Sequence, residues 1–432
     1  MIKSRWSVFF LPFLSGILLL GAGFIALQAQ SAAAQEPAAA VENEYVLLSW
    51  NDLGMHCYNA DFADLAVLPP FNTLWAQVVR RGDPPTIITS GIRVTYVFTD
   101  NTTSLGKTNF WDYAQDLFDL AAPLPPDIGL TGNGLAGEME LSGEHFEAVG
   151  IPLTEFSDSA PTTPDPYQLA TVTVWNRSTN QMLAQTRVVA PVSSEMRCDL
   201  CHSDTGFATV ESGITPTGKV ETNILSMHDQ ENLDDYPAGY ELPLMEQRPV
   251  LCATCHSSNA LGAPGLDDLP SLSNAMHEKH AEEGDDFPAG TVGCYQCHPG
   301  PDTLCLRDVM SQEYDFTCND CHGDMLAVSQ NPDPWLNEPR CDTCHGVATQ
   351  QDQPLYRNSI GHGAVFCEAC HDSTHAIAES REPRDGLKFV DLQGHAGTLD
   401  TCTVCHLTQP AGIFQHDIEP KTNFEFLPLT VK

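Results

Sequence analysis

Apolar and polar positions alternate along the first half of the chain with the period of a half-buried β-strand. The segment "IRVTYVFTD" (residues 92–100) alternates in this way, and "EYVLLSW" (44–50) is rich in strand-forming residues. The stretch 169–191 predicts two strands joined by a polar loop around 176–180. Because proline-rich loops separate these strands, the pattern predicts an all-β domain over 44–192, with an immunoglobulin-like sandwich as its expected topology.

The N-terminus has the pattern of an export signal. Lys3 and Arg5 precede an apolar stretch over 6–27, and "SAAAQE" supplies small residues for cleavage. We therefore expect a signal peptide over 1–34 and a linker over 35–43. The apolar stretch is longer than an ordinary signal core, so a membrane tether formed by an uncleaved segment stays open as an alternative. The rest of the chain is expected to be periplasmic or extracellular.

The charge of the chain excludes one class of partner. The 432 residues include 57 acidic and 20 basic ones, which gives a net charge of −37. Nucleic-acid binding depends on basic surfaces, so we expect no nucleic-acid partner. The acidic surface is compatible with basic or metal-containing protein partners.

Cysteine and histidine recur together in the second half of the chain. The sequence contains 16 cysteines, of which 14 form seven Cys-x-x-Cys pairs, and a histidine follows each pair directly. The seven copies are motif 1 (Cys198, Cys201, His202), motif 2 (Cys252, Cys255, His256), motif 3 (Cys294, Cys297, His298), motif 4 (Cys318, Cys321, His322), motif 5 (Cys341, Cys344, His345), motif 6 (Cys367, Cys370, His371) and motif 7 (Cys402, Cys405, His406).

The fixed histidine decides which chemistry the motifs indicate. A structural zinc site combines two Cys-x-x-Cys pairs and needs no histidine at the next position. A disulfide framework does not need the histidine either. Cys-x-x-Cys-His is the attachment signal for c-type haem: two thiols add to the vinyl groups of one porphyrin, and the histidine binds the iron. Seven copies predict seven covalently bound haems.

From about Glu195 to the C-terminus, the sequence resembles the multihaem c-type cytochromes through these seven motifs. The resemblance implies a haem-packed domain over 193–432, mostly irregular with short α-helices, in which neighbouring porphyrins touch. The spacing between motifs is too short for independent domains, so the haems must supply much of the buried apolar surface. We expect folding of this region to depend on haem attachment.

Seven further histidines in the second half match the number of haems and are the candidate distal iron ligands. In "NAMHEKHAEEG", His277 and His280 are separated by about one helical turn and are expected to serve two different haems. His375 lies too close to His371 to reach the far face of the same haem, so we expect it to bind a neighbour. Met310 and Met325 flank motif 4 and are alternative ligands. The seven candidates are His228, His277, His280, His362, His375, His395 and His416.

Four other residues stay open at this stage. "SWNDLGMHCYNADF" contains His56 and Cys57, which indicate either a metal site or a strand-to-loop segment. Cys57 and Cys305 are the two cysteines outside the motifs, and they are either a disulfide or two buried thiols. His145 is expected at the surface.

The sequence favours electron relay over catalysis. Seven closed, bis-histidine haems would pass electrons between redox proteins or to an extracellular acceptor, in anaerobic or extracellular respiration. A first alternative is an enzyme that reduces nitrogen or sulfur oxyanions at one open haem, with His280 or His375 pointing away from the iron. A second alternative is a conductive filament in which this chain polymerises and His56 crosses between subunits.

Overall fold

The computed structural model describes residues 43–283, 287–331 and 355–411. These residues belong to one compact unit that spans 38–432. The predicted signal peptide, motif 5 and His416 lie outside the described residues. Among the residues that are described, no helix has both the length and the apolarity needed to cross a membrane.

The first half of the chain is β-rich, as its alternating pattern predicts. One sheet has the strand order β1-β4-β9-β8, with β5 paired to β4, and the other has the order β2-β11-β10-β6-β7. A short pair joins β3 to β12. The strands are β1 Tyr45–Asn51, β2 His56–Cys57, β3 Leu65–Ala66, β4 Asn72–Arg80, β5 Thr86–Ile87, β6 Ile92–Phe98, β7 Ala136–Glu138, β8 Glu140–Ser142, β9 His145–Ile151, β10 Tyr167–Asn176, β11 Met182–Ser193 and β12 Val250–Leu251.

Four strands confirm the sequence prediction closely. In β6, every second side chain is buried, which is the pattern of a strand with one face on a core. The strands β10 and β11 form the expected antiparallel hairpin, and β1 covers most of "EYVLLSW". The two sheets bury their inner faces against each other in one apolar core, which contains Leu47, Leu74 and Val78 from the first sheet and Val94, Val172 and Val188 from the second.

The second half of the chain contains short helices joined by irregular segments, as expected. The α-helices are α1 Phe110–Leu117 in the β-rich part, then α2 Asp199–His202, α3 Phe207–Ser212, α4 Val220–Asn232, α5 Leu272–Glu282, α6 Thr291–Cys294, α7 Val309–Glu313, α8 Cys318–His322, α9 Met325–Ser329, α10 Cys367–His371 and α11 Leu387–Gln393. Short 3-10 turns lie at Leu233–Asp235, Leu244–Glu246, Cys252–Thr254, Tyr356–Asn358, His362–Ala364 and Cys402–Val404.

The outer face of the first sheet is covered by the second half of the chain. Trp50 on β1 is fully buried, with its ring centroid 6.3 Å from that of Trp75 and 5.7 Å from that of Phe366. Phe389 and Val404 belong to the same apolar cluster. The central strands therefore have apolar side chains on both faces. The predicted boundary at 193 coincides with the end of β11, but residues on the two sides of it pack together.

Candidate metal centres

Each described motif folds as about one helical turn. The backbone N–H of the motif histidine donates to the carbonyl of the first cysteine, four residues earlier, at 2.8 Å in motif 1 and 2.9 Å in motifs 3 and 7. Residues three and four apart on a helical turn lie on the same face. The local fold therefore directs both sulfur atoms and the imidazole of a motif towards one common side, where one flat group could bind all three.

Five motif histidines each face a histidine from outside the motifs. In each pair the ring centroids lie about 6 Å apart, and the two ring planes make an angle between 25° and 80°. The pairs and their centroid distances are His202 with His280 at 6.2 Å, His256 with His228 at 6.4 Å, His298 with His277 at 6.1 Å, His322 with His375 at 6.2 Å and His406 with His362 at 5.9 Å.

This spacing fits a shared iron atom. A metal–imidazole bond is about 2.0 Å long, and a ring nitrogen lies about 1.1 Å from its ring centre, so two imidazoles on opposite sides of one metal have centroids about 6.2 Å apart. Direct packing of two aromatic rings also allows such distances. However, direct packing does not explain why the partner of each motif histidine in these five pairs is a histidine.

The distal histidines present the correct ring nitrogen. His277 Nδ1 lies 2.7 Å from the carbonyl of Ser273, and His280 Nδ1 lies 2.7 Å from the carbonyl of Met276. A carbonyl oxygen only accepts, so Nδ1 carries the proton in both rings and Nε2 has a free lone pair. Hydrogen bonds of this kind orient metal-binding histidines in proteins. The Ser271 hydroxyl accepts from Asn274 N–H and starts helix α5, which carries both residues.

The same tautomer follows for the pair at motif 2. His228 Nδ1 lies 2.8 Å from the Tyr236 hydroxyl, which itself donates to Asp229 at 2.7 Å. The hydroxyl proton is thus in use, so its oxygen accepts from His228 Nδ1. His256 Nδ1 donates to the carbonyl of Pro270 at 2.9 Å. Both rings therefore keep Nε2 available for a metal.

Desolvation favours the neutral form of two of the paired imidazoles. Together with the charge of the facing histidine, it lowers the pKa of His202 to about 4. Desolvation also lowers the pKa of His375 to about 3. Neutral imidazole is the form that binds metals, so these histidines are available as ligands at neutral pH.

Among the other predicted site residues, His371 and His395 lie close to polar groups of the chain. His371 Nδ1 lies 3.5 Å from the Thr398 hydroxyl. His395 donates from Nδ1 to the carbonyl of Ala396, and its Nε2 lies 3.5 Å from Asp400. The roles of His345 and His416 stay predictions, because both lie outside the described residues. At motif 4, His375 faces the motif histidine. The methionine ligands proposed as alternatives, Met310 and Met325, stay predictions.

The two histidines of the β-rich part, His56 and His145, contact other side chains of the protein. His56 donates from Nε2 to Asp52 at 2.8 Å. The expected surface position of His145 is wrong: this residue is buried at 8 % exposure, and its ring centroid lies 4.3 Å from that of Trp75. Two residues distant in sequence, Trp75 on β4 and Phe366 in the second half of the chain, pack on this ring and bury it.

Cys305 is a feature of the site that the sequence did not indicate. Its sulfur lies 3.9 Å from His375 Nδ1, so it supports the ring that faces His322. Cys57 and Cys305 are both free thiols. Burial raises the pKa of Cys57 to about 11 and that of Cys305 to about 12, which keeps both protonated at neutral pH.

Comparisons with protein-family models, with curated proteins and with solved structures find no match for this chain. Within the described ranges, no three or more His, Cys, Asp and Glu side chains group together in a way that could hold a metal ion. Haem iron takes four ligands from the porphyrin, so the protein arrangement relevant to it is a pair of opposed imidazoles.

Proposed function

We propose that this chain is a multihaem c-type cytochrome that relays electrons through seven covalently attached haems. The observation that carries the proposal is the set of five motif histidines, each facing another histidine at 5.9–6.4 Å. The thiols and histidine on one turn of each motif fit the attachment chemistry of one porphyrin. Each bound haem would supply an iron atom that cycles between the ferric and ferrous states.

The protein would hold each haem with three side chains of a motif and one distal histidine. For motifs 1, 2, 3, 4 and 7, the proposed distal ligands are His280, His228, His277, His375 and His362. Two motif histidines, His345 and His371, and two candidate distal histidines, His395 and His416, are then left to be assigned to each other. Histidine on both sides of an iron favours a lower potential than methionine does. The many carboxylates of the chain add to this by stabilising the ferric state.

Closed irons favour relay over catalysis. An enzyme would need one iron with an open position for nitrite or a related oxyanion. The sequence suggested that His280 or His375 would point away from the iron in that case. Both rings face a motif histidine. The filament alternative relied on His56 as a ligand between subunits, and the hydrogen bond from its Nε2 to Asp52 gives that nitrogen another role.

The setting of this relay is part of the proposal. We infer an exported protein, periplasmic or extracellular, that exchanges electrons with redox partner proteins or an extracellular acceptor in anaerobic respiration. An immunoglobulin-like arrangement of the two sheets remains the proposed topology of the β-rich part. Its outer sheet face would support motifs 6 and 7, since Ala369 and Val404 pack against it.

Haem stoichiometry tests the proposal. Expressed with a c-type haem attachment system, the chain should carry seven haems, measured by intact mass and by haem absorbance per chain. The double substitution Cys252→Ala with Cys255→Ala should lower the count to six. Cys57→Ser is the matched control, because this cysteine lies outside the motifs, on strand β2, and its substitution should leave seven. A chain without covalent haem after such expression would refute the proposal.

A further inference from the structure

We propose that the haems of the described motifs form one relay in the order 2–1–3–4–6–7, which differs from their order along the chain. The inference rests on the proposed function and adds the route that electrons take. Each step of the route is a contact between two motifs, or a short helix or segment that contacts both.

Helix α4 joins motif 2 to motif 1. His228 on this helix faces His256 of motif 2. Five residues earlier, Asn223 is fully buried and donates from Nδ2 to the carbonyl of His202 at 2.9 Å. A helix rises about 1.5 Å per residue, so these two contacts lie less than two turns apart on one rigid element. The haems of motifs 1 and 2 are therefore neighbours.

Helix α5 joins motif 1 to motif 3. Its two histidines are three residues apart, and His280 faces His202 of motif 1 while His277 faces His298 of motif 3. A second contact links the same motifs, because Arg197 N–H donates to the carbonyl of Gln296 at 2.9 Å. Gln296 lies inside motif 3, and Arg197 directly precedes motif 1.

Motif 3 is in direct contact with motif 4. Helices α6 and α8, which carry the first cysteines of these motifs, pack against each other. The side chains of Cys294 and Cys318 are close enough to influence each other electrostatically. Both sulfur atoms are attachment points in the proposed holoprotein, so the edges of the two porphyrins would meet here.

The segment around motif 6 connects the remaining haems. His375, four residues after His371, faces His322 of motif 4, and its carbonyl accepts from Arg307 N–H at 2.9 Å. On the other side of motif 6, His362 faces His406 of motif 7. Leu399 N–H also donates to the carbonyl of Cys370 at 2.8 Å. Motif 6 thus lies between motifs 4 and 7.

Redox coupling between haems tests the order. The substitutions His277→Met and His375→Met each replace the distal ligand of one haem, in motifs 3 and 4, and should raise its potential. Neighbouring haems influence each other electrostatically, so we expect the double variant to shift the potentials by an amount different from the sum of the single shifts. The matched control combines His228→Met with His362→Met, at the two ends of the route, and should be additive.

Potentials are read from optical redox titrations, and electron paramagnetic resonance of the same samples reports the ligands. Additivity at motifs 3 and 4, or coupling of similar size between the two ends, would overturn the order while leaving the proposed function intact. Single variants that leave every low-spin signal unchanged would instead refute the ligand assignment. If a His→Met variant fails to fold, the corresponding His→Gly variant is used in its place. Imidazole added to the solution then replaces the missing ligand, and the single and double variants are compared in the same way.

Discussion

Without covalently attached haem, the region 199–331 is expected to lose its folded structure. We expect its backbone amides to exchange with solvent at least about a hundredfold faster than in the holoprotein, because exchange follows the free energy of local opening. The measurement is hydrogen exchange with mass spectrometry on the chain expressed with and without haem attachment. The strands β6 and β10, in the apolar core between the two sheets, are the internal control and should stay protected.

The physical reason is the composition of the buried interior. Of the apolar side chains between 199 and 331 that the structure describes, four are buried: Leu225, Ala253, Phe287 and Pro299. The longest helix there, α4, has 13 residues, and isolated helices shorter than about 12–15 residues are marginal in water. In the proposed holoprotein, the porphyrins would supply the missing apolar contacts. Equal protection of this region with and without haem would contradict this explanation.

Arg307→Met is expected to lower the free energy of unfolding by about 3–5 kcal/mol, because it leaves a buried carboxylate without its partner. Arg307 Nε donates to Asp385 at 2.7 Å, and the two side chains are 1 % and 4 % exposed. Its Nη1 also donates to the carbonyl of Gly54 at 2.8 Å, and the guanidinium lies 4.9 Å from the ring centre of Tyr167. One side chain thus connects the β-rich part to two segments of the second half.

The chain offers a matched control for this substitution. Arg187 makes a two-point ion pair with Asp391 at 2.9 and 2.8 Å, but these side chains are 45 % and 39 % exposed. Exposed ion pairs contribute about 0–1 kcal/mol, so Arg187→Met should have a small effect. Urea denaturation of both holoprotein variants gives the comparison. Equal losses in the two variants would show that burial of the Arg307 pair does not contribute as we infer.

Local patterns predicted those parts of the structure that depend on neighbouring residues. The alternation over 92–100 predicted β6, and the spacing of His277 and His280 predicted a helix with both histidines on it. A local argument also excluded one partner for His375. It lies four residues after His371, which is too short a distance along the chain to reach the opposite face of the same haem. Strand period and helix period are properties of short segments, and a sequence displays them directly.

Long-range packing could not be predicted in the same way. The pairing of a distal histidine with a motif depends on the path of the chain between them, and motifs 5 and 6 both lie between His322 and His375 in the sequence. His145 is buried by Trp75 and by Phe366, and Phe366 is more than 200 positions away. The contact of Cys305 with His375 likewise joins two segments that share no pattern. Such contacts arise when the haem-binding region packs on the sheet.

The electron paramagnetic resonance spectrum of the oxidised holoprotein, with haem quantified on the same sample, tests the central claim most directly. Opposed histidines at every iron predict low-spin signals that account for all seven haems. A high-spin signal of about one haem per chain would contradict closed coordination, and the chain would then have to be studied as an oxyanion reductase.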